Sequence, residues 1–334
     1  METLVQNGGI LANLKRYPWK WVLVPFFLFG LTVASWQIIR RIRPQCLHVH
    51  WIIPQGVAIA LLGGWLRQLP PYVLTSHGGD LFSFQGWPFV SLKRWVLRKA
   101  SSVTVVSQAM LNEVVSLGFR LELVHVIPMG VDFERRFSLL PCVRRNPGEI
   151  LFVGRLVEKK GVKYLIQALP LIRQRYSIAH LVIVGGGPEF PALTALVSQL
   201  GLQDCVEFRG AMPQDALPEL YRQATVFVAP FVNASTGDRE GLGLVSIEAI
   251  ACGCPVVVGD VPVVADIFLD SEMDMRATPG SVESLVEKIG RVLEKPEVAL
   301  ARTLAVRQRL AGQLGWDIVA SQYARLLKGK AFGA

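Results

Sequence analysis

Two glutamates flank a pair of glycines in the segment REGLGLVSIEA, residues 239–249. Glycines free the backbone just before a helix, where amides and the helix N-terminus can cradle phosphate oxygens. A carboxylate accepts hydrogen bonds from sugar hydroxyls. Glu240 and Glu248, placed on either side of such a cradle, could hold a ribose and a hexose. A loop glutamate and a helix-surface glutamate are the alternative, but the neighbours of Glu248 are apolar, which does not suit a solvated face.

A basic loop, GRLVEKKG at residues 154–161, follows a predicted strand and precedes a predicted helix. Cations at the carboxyl edge of a sheet can bind a diphosphate, and the next helix N-terminus adds a favourable dipole. Arg155, Lys159 and Lys160 are the candidates. A basic loop with solvated lysines is the alternative.

Two further glycine segments follow predicted strands. VGGGPE at residues 184–189 permits close backbone approach to a ligand around Gly186, although it lacks the full dinucleotide fingerprint and could be a plain tight turn. SHGGD at residues 76–80 places His77 where it could reach into a ligand crevice. For a lone histidine, a core or loop residue with its hydrogen bonds satisfied is the alternative.

These segments need a framework that brings them to one edge, and the sequence predicts one. Short apolar runs alternate with helix-length segments, which is typical of parallel sheets with helices on both faces. In such folds ligands bind at the carboxyl ends of the strands. The predicted strands are 47–51, 72–76, 102–106, 123–127, 150–153, 179–184, 206–209, 226–230 and 255–258, and the predicted helices are 57–66, 91–100, 108–117, 161–172, 190–201, 217–224, 244–252, 281–293 and 316–328.

The formal net charge of +9 is unevenly distributed. Basic residues outnumber acidic ones by more than two to one in residues 1–146, whereas the two nearly balance in the rest of the chain. Such asymmetry suggests that the first half faces an anionic partner. No nucleic-acid motif is present, so an anionic membrane surface is favoured over nucleic acid. A merely well-hydrated surface is the third interpretation.

An apolar segment from Trp21 to Ile39 carries no charge and has basic residues on both sides. It is long enough to cross a bilayer, and tryptophans near its ends suit the interface. The flanking charges give no orientation, and no signal-peptide cleavage site follows. A buried or interfacial helix before the first strand is the favoured interpretation, and a membrane span is the alternative.

The cysteines predict no metal site. Only Cys252 and Cys254 are close in sequence, and no histidine lies near them. This is poor spacing for zinc ligands. We expect reduced, structural cysteines in a cytosolic setting.

Taken together and in order, the motifs resemble the family-four glycosyltransferases of the GT-B fold. The resemblance runs from about residue 40 to the end of the chain and is most detailed in the C-terminal half. Several linked motifs in one order are far more specific than any one of them. The matching segments are SHGGD (76–80), VVSQAM (105–110), IPMGVD (127–132), GRLVEKKG (154–161), VGGGPE (184–189), VEFRG (206–210), EGLGLVSIEAIACGCPVV (240–257) and Trp316.

The resemblance implies a retaining transfer of a sugar from a nucleotide donor, without a metal ion and without a cofactor. Arg155 and Lys160 would hold the diphosphate, Glu248 the ribose hydroxyls, and Glu240 and His77 the donor sugar. The departing phosphate would help to deprotonate the acceptor, so that no protein nucleophile is needed. The other implied donor-binding residues are Gly186, Phe208, Arg209 and Gly210, with the segment at Phe208–Gly210 flanking the base, and Gly241, Leu242, Gly243 and Leu244, whose amides would face sugar and phosphate.

The implied fold is α/β, with two Rossmann-like doubly wound domains facing a cleft. We expect an N-terminal, acceptor-side domain at residues 1–138, a nucleotide-sugar-binding domain at 139–315, and a last helix at 316–334 packing back toward the first domain. Residues 138–148, rich in proline and arginine, read as an interdomain linker. The chain departs from the family at Met129, where asparagine is common. Compared with the usual doubly wound size, its first domain is expected to be shorter by about two strand-helix units.

The expected function is transfer to a lipid-linked or polysaccharide acceptor at the cytoplasmic face of the cell membrane. The donor base, UDP or GDP, stays open. A shortened first domain favours an alternative, a non-catalytic or split nucleotide-sugar-binding protein that needs a partner. A nucleotide-sugar epimerase on the same fold is a third interpretation, which the paired glutamates disfavour.

Overall fold

The computed structural model describes residues 14, 17–66, 68–83, 85–141 and 143–332. It divides into two compact units, one formed by Met1–Ile127 with Tyr323–Ala334 and the other by Pro128–Gln322. The change of unit at Ile127 comes earlier than the domain boundary expected after residue 138. Cys142 lies outside the described residues.

The first unit contains a sheet of four parallel strands in chain order. Its strands are β1 Leu47–His50, β2 Tyr72–Ser76, β3 Ser102–Val105 and β4 Val124–Val126. Its helices before the chain leaves the unit are α1 Leu23–Ile42, α2 Val57–Trp65, α3 Gly79–Phe82, α4 Trp87–Lys99 and α5 Gln108–Ser116. Every residue of β2 and β3 is buried, as expected for the central strands of a covered parallel sheet.

Helix α1 continues a 3-10 turn at Pro18–Val22 and packs against α2. Pro18–Ile42 is long and apolar enough to cross a membrane, by length and composition alone. Of the predicted alternatives, a buried helix is wrong, because only Thr32 and Ile39 of α1 are buried, whereas an interfacial helix and a membrane span both stay predictions. The helix instead presents apolar side chains outward, including Phe26 and Phe29, each 64% exposed.

The second unit contains a six-stranded parallel sheet in the order β10-β9-β8-β5-β6-β7. Its strands are β5 Glu149–Val153, β6 His180–Val184, β7 Val206–Gly210, β8 Val226–Ala229, β9 Val256–Gly259 and β10 Arg276–Ala277. Read from β7, this is the 3-2-1-4-5-6 order of dinucleotide-binding sheets. The order reverses between β5 and β8, so a crevice opens where the carboxyl ends of these two strands diverge.

Helices cover both faces of the second sheet. They are α6 Val162–Arg175, α7 Phe190–Gln199, α8 Leu217–Gln223, α9 Leu244–Ala251, α10 Val282–Glu294 and α11 Pro296–Leu314. The last helix, α12 Trp316–Phe332, begins in the second unit and continues into the first at Tyr323. The sequence did not predict α11. The two-sheet α/β architecture that it did predict is confirmed.

The predicted linker at residues 138–148 is not a free connection. Arg145 donates to the carbonyls of Ala224 (2.7 Å) and Gly253 (2.7 Å), and Arg222 donates to the carbonyl of Ser138 (2.9 Å). These partly buried guanidinium contacts hold the segment against the second unit. Prolines and paired arginines suggested an interdomain linker, but Arg145 of that pair donates to backbone carbonyls just beyond the ends of α8 and α9.

Candidate donor site

The strand order of the second sheet reverses between β5 and β8, and this position is its switch point. Three consecutive residues of the basic loop after β5 join it to the loop after β8. The loop after β5 contains a 3-10 turn at Glu158–Lys160. Glu158 accepts from the amide and hydroxyl of Ser235, both at 2.9 Å, and Lys159 pairs with Asp238 at 3.1 Å. Lys160 pairs with Glu240 at 2.8 Å. The loop after β8 is therefore fixed to the basic loop along its length, and Glu158 and Asp238, which the sequence did not single out, provide part of that fixation.

The pair of Lys160 and Glu240 is the electrostatic centre of this arrangement. The two side chains are only 12% and 13% exposed. Burial by itself would raise the pKa of Glu240, but Lys160 and Lys159 beside it hold that pKa below its ordinary value. The Lys160 ammonium also lies 4.8 Å from the centre of the Phe231 ring. A lysine and a glutamate that the sequence assigned to different parts of the donor thus contact each other.

Arg155, the other predicted phosphate ligand, lies two residues after the end of β5 and is exposed. Its backbone carbonyl accepts from Val157, whereas its guanidinium makes no hydrogen bond or ion pair to the described residues. An exposed guanidinium at the carboxyl end of β5 is available to bind an anion bidentately.

The glycine loop ends at the N-terminus of α9. Gly243 adopts a left-handed backbone conformation (φ 73°) just before Leu244, the first residue of the helix. The Gly243 amide donates to Glu240 at 3.3 Å. Gly241 and Leu242 are buried beside it. The acidic side chain therefore contacts the helix N-terminus that the sequence predicted as a phosphate cradle.

Glu248 lies on α9 and is 7% exposed, so it is not a surface glutamate. The Tyr221 hydroxyl donates to its Oε2 at 3.1 Å. Burial raises the pKa of Glu248, while hydrogen bonds from Tyr221 and Gln214 and the charges of Arg136 and Lys160 counteract that rise. Sequence reasoning missed these partners, because no short-range pattern links residues so far apart in the chain.

The three glycines after β6 differ in the space that surrounds them. A side chain at Gly185 would come within 1.8 Å of the Gly154 carbonyl, and one at Gly187 within 2.3 Å of the Leu156 carbonyl. Gly186 has no atom within 4 Å of such a position. The outer two glycines thus allow the loops after β5 and β6 to touch, and Gly186 alone faces open space.

The segment at Phe208–Gly210 closes β7, the edge strand. Phe208 packs edge-on against Phe190, with ring centres 5.3 Å apart. Arg209 is engaged by Glu207 through two hydrogen bonds at 3.0 and 2.9 Å. Gly210 has open space around it and accepts from the Gly185 amide at 2.7 Å. The expectation that this segment flanks the nucleotide base stays a prediction.

His77 lies in the first unit, at the carboxyl end of β2. Its amide donates to Asp80 at 3.1 Å, and its Nε2 lies 2.9 Å from Nδ1 of His50. The ring therefore belongs to a side-chain cluster and is not isolated. The role expected for it toward a donor sugar stays a prediction.

Within the described ranges, no group of three or more histidines, cysteines or acidic residues could hold a metal ion. Cys252 and Cys254 are buried, and burial raises the pKa of each thiol to about 12. Neither is a thiolate at neutral pH, which fits the structural role expected for them.

Comparison with known protein families covers both units. The family model described as "Glycosyltransferase Family 4" matches residues 5–135, and "Glycosyl transferases group 1" matches residues 143–309. A GDP-mannose-dependent alpha-(1-6)-phosphatidylinositol monomannoside mannosyltransferase of Mycolicibacterium smegmatis is 32% identical over 316 residues, which is 90% of this chain and 81% of that protein. A glycogen synthase of Mycobacterium tuberculosis is 29% identical, over 89% of this chain and 72% of its own length.

Solved structures share the fold. The sucrose-phosphate synthase of Thermosynechococcus elongatus matches with a TM-score of 0.78 at 23% identity, over 94% of this chain and 80% of that one. The Anabaena protein HepE in complex with UDP matches with a TM-score of 0.75 at 20% identity, over 90% and 82%. The two-sheet architecture, the family models and the extent of the mycobacterial match lead to one conclusion. This chain belongs to the nucleotide-sugar-dependent glycosyltransferases of the GT-B fold.

Proposed function

We propose that this glycosyltransferase moves a sugar from a UDP- or GDP-linked donor to a lipid-linked or glycan acceptor, with retention of anomeric configuration and without a metal ion. The observation that carries the proposal is the buried pair of Lys160 and Glu240 at the switch point of the second sheet. It places a cation and a carboxylate together at the N-terminus of α9, where a diphosphate and a sugar would need them.

The pair explains how a buried lysine is kept ready for a diphosphate. In the free chain, Glu240 neutralises Lys160. A donor diphosphate is a better partner because it carries more charge, and it would take over Lys160. Glu240 would then be free to accept hydrogen bonds from the sugar hydroxyls. Binding of the nucleotide sugar would thus replace the contact between Lys160 and Glu240 with a contact from each residue to the nucleotide sugar.

The remaining donor contacts follow from charge and burial. Arg155 and the α9 N-terminus would share the diphosphate with Lys160 and stabilise the negative charge that develops as it departs. Glu248, oriented by Tyr221, would accept from the ribose hydroxyls. These groups can bind the departing phosphate without a divalent ion, which supports metal independence. The departing phosphate itself would take the acceptor proton, so that no protein nucleophile is required.

We propose that the chain works on the cytoplasmic face of an anionic membrane, attached peripherally. Helix α1 packs against α2 of the first unit, and most of its length is not buried. Its exposed apolar side chains recur at helical spacing, and Trp87 at the start of α4 is 83% exposed. Arg40 and Arg41 in the last turn of α1 suit anionic headgroups. The exposed apolar residues of α1 and its preceding turn are Trp19, Trp21, Val22, Phe26, Phe29, Ile38 and Ile42.

The decisive experiment incubates the purified chain with radiolabelled nucleotide sugars and membrane lipids or glycans, in the presence of a metal chelator. GDP-mannose, named for the mycobacterial relative, and UDP-glucose are the first donors to test. We expect transfer from one of them, and a product whose anomeric configuration by NMR equals that of the donor. A Glu240→Gln chain should be inactive.

Three results would contradict the proposal. A product of inverted configuration would reject retention. Activity that disappears with chelation would reject metal independence. Nucleotide-sugar binding by calorimetry without transfer, relieved only by a second protein that co-purifies in equal amount, would favour a split enzyme.

A further inference from the structure

Three histidines stack at the carboxyl end of the first sheet. His48 and His50, two residues apart on β1, have ring centres 4.2 Å apart, and the rings of His50 and His77 are nearly parallel at 5.2 Å. His48 also bonds Thr75 through Nε2 at 2.7 Å. The stack is therefore anchored at one end to β2 and reaches the histidine of the SHGGD segment at the other.

The backbone that carries His77 is held firmly. Asp80 accepts from the His77 amide at 3.1 Å, from the Ser76 hydroxyl at 2.9 Å and from the Ile52 amide at 2.6 Å. The buried Lys93 donates to the carbonyls of Leu81 and Ser83 just beyond. With the backbone fixed, only rotation of the ring and the position of its proton remain free.

Trp51, which follows His50, packs its ring 5.3 Å from that of His77. Its backbone has a φ of 76°, a left-handed conformation that is unusual for a bulky residue. Backbone conformations of this kind persist where the surroundings enforce them, and they concentrate at functional sites. Here the rings of Trp51 and His50 both lie beside the ring of His77.

The two nitrogens of the His77 ring differ in their surroundings. Nε2 lies 2.9 Å from Nδ1 of His50. Nδ1 is buried and has no hydrogen-bond partner among the described residues. A buried polar atom without a partner is costly, and a role in binding or catalysis is one reason for a fold to keep one. With Nε2 engaged, Nδ1 is the ring nitrogen left for a ligand.

We propose that His50 is a positioning residue for His77. In this arrangement the Nε2–H of His77 donates to Nδ1 of His50, which fixes the ring orientation and keeps the proton on Nε2, so that Nδ1 of His77 stays an acceptor for a hydroxyl of the donor sugar. The inference rests on the proposed role of His77 in sugar transfer and adds a second histidine to it.

A hydrogen bond between two imidazoles requires one proton at the contact, so the two contacting nitrogens cannot both be protonated. Burial lowers the pKa of His50 and of His77, and lowers that of His48 to about 4. The charged group facing His77 is Asp80, which counteracts the fall, while the neighbouring histidines reinforce it. The pair therefore stays neutral at physiological pH and separates on acidification.

The test compares the native full-length chain with four variants, each carrying one substitution. His50→Phe keeps a ring in the stack without a nitrogen, and His50→Asn supplies an amide near the position of Nδ1. His125→Phe, the matched control, removes an imidazole on β4, which lies two strands from the β2 strand that carries His77. His77→Ala measures the importance of His77 itself. The readouts are the ring tautomer of His77, from long-range proton–nitrogen NMR, and the kcat and KM of sugar transfer.

We expect a single neutral tautomer for His77 in the native chain, in His50→Asn and in His125→Phe, and a mixture in His50→Phe. We also expect about a tenfold fall in kcat for His50→Phe, the size of effect that one lost hydrogen bond produces. The donor KM should change less than twofold, and His50→Asn should recover most of the rate.

Two results overturn the inference, and they are distinguishable from a failure of the proposed function. If His77→Ala is inactive while His50→Phe changes neither tautomer nor kcat, His50 has no positioning role. If His77→Ala transfers sugar at the native rate, His77 itself has no role in transfer, and the kinetic part of the inference falls with it. A mixed tautomer in the native chain rejects the pairing whatever the kinetics.

Discussion

At the scale of single residues, the pairing of Lys160 with Glu240 dominates the candidate donor site. Two opposite charges, each about seven-eighths shielded from solvent, meet at 2.8 Å. Such a pair contributes little net stability, but removal of one partner leaves an uncompensated buried charge. Binding and stability should therefore respond differently to changes at these two positions.

Lys160→Met should lower the free energy of unfolding by about 3 kcal/mol, because it leaves the Glu240 carboxylate buried and unpaired. Adding Glu240→Gln should restore most of this loss without restoring nucleotide binding. Urea denaturation and calorimetry measure the two effects. Lys159→Met is the control, since its partner Asp238 is 34% exposed and the loss should be smaller. A double variant that binds nucleotide as the native chain does would contradict the assignment of Lys160.

Glu240 and Glu248 should respond to pH in opposite directions. The pKa of Glu248 is raised in the folded chain, so its contribution to stability is present below the unfolded pKa of about 4.3 and is lost as pH rises through the folded value. The pKa of Glu240 is lowered, so its contribution is present above about 4.3 and is lost on acidification.

Denaturation between pH 3 and 8 should therefore show the native chain losing stability relative to Glu248→Gln as pH rises. It should gain stability relative to Glu240→Gln over the acidic part of the same range. Differences that do not vary with pH would show that neither carboxyl has a shifted pKa.

In addition, Glu248→Gln should weaken nucleotide binding about tenfold or more, because a charge-assisted hydrogen bond to ribose becomes a neutral one.

At the scale of elements, contact between the loops after β5 and β6 depends on glycines that look alike in sequence. Gly185→Ala should lower the free energy of unfolding by at least about 2 kcal/mol, because its φ is 132° and the added carbon would meet the Gly154 carbonyl. Gly186→Ala, the matched control, should change stability by no more than about 0.5 kcal/mol. Thermal unfolding compares the two, and equal losses would show that the loops do not touch as described.

Most of the elements could be predicted because the strands are short buried apolar runs. VFVA at β8 and VVVG at β9 have almost no other interpretation between turn residues. Helix α11 could not be predicted in the same way, since its apolar residues do not concentrate on one face and only four of its nineteen residues are buried. Its position depends on long-range contacts, such as Arg307 with the carbonyls of Ala251 and Phe133.

The residues of the candidate site also differ in whether a local sequence pattern predicts them. Arg155, Lys160, Glu240 and the glycines could be proposed from sequence as donor-binding residues because they lie in short segments with recognisable chemistry. The contact of Tyr221 with Glu248, and that of His50 with His77, each join residues 27 apart in sequence. No local pattern encodes such contacts, because they depend on which strands and helices become neighbours in the fold.

At the scale of the whole molecule, net charge and exposed apolar surface concentrate in the first half of the chain. We expect the chain to float with anionic phospholipid vesicles in a density gradient and to bind neutral vesicles more weakly. High salt should reduce binding to the anionic vesicles, since charges near the surface are screened.

Phe26→Ser with Phe29→Ser should reduce vesicle binding at least tenfold, because two phenylalanine side chains would no longer be buried in lipid. Leu171→Ser with Leu200→Ser, which changes exposed leucines of the second unit, should leave binding unchanged. If both double variants bind equally, α1 is not the attachment surface. If the native chain instead dimerises through α1 without lipid, its partner is a second copy.

The chain enters the second unit at Pro128 and returns to the first at Tyr323, in the middle of α12. Tyr323 packs 4.8 Å from the His48 ring, and its hydroxyl lies 3.4 Å from that of Thr104. The first unit therefore cannot be excised as one continuous stretch of polypeptide. A fragment that stops at Ile127 would lack the tyrosine that packs against His48, so dissection of this enzyme requires a circular permutant or a two-fragment complementation.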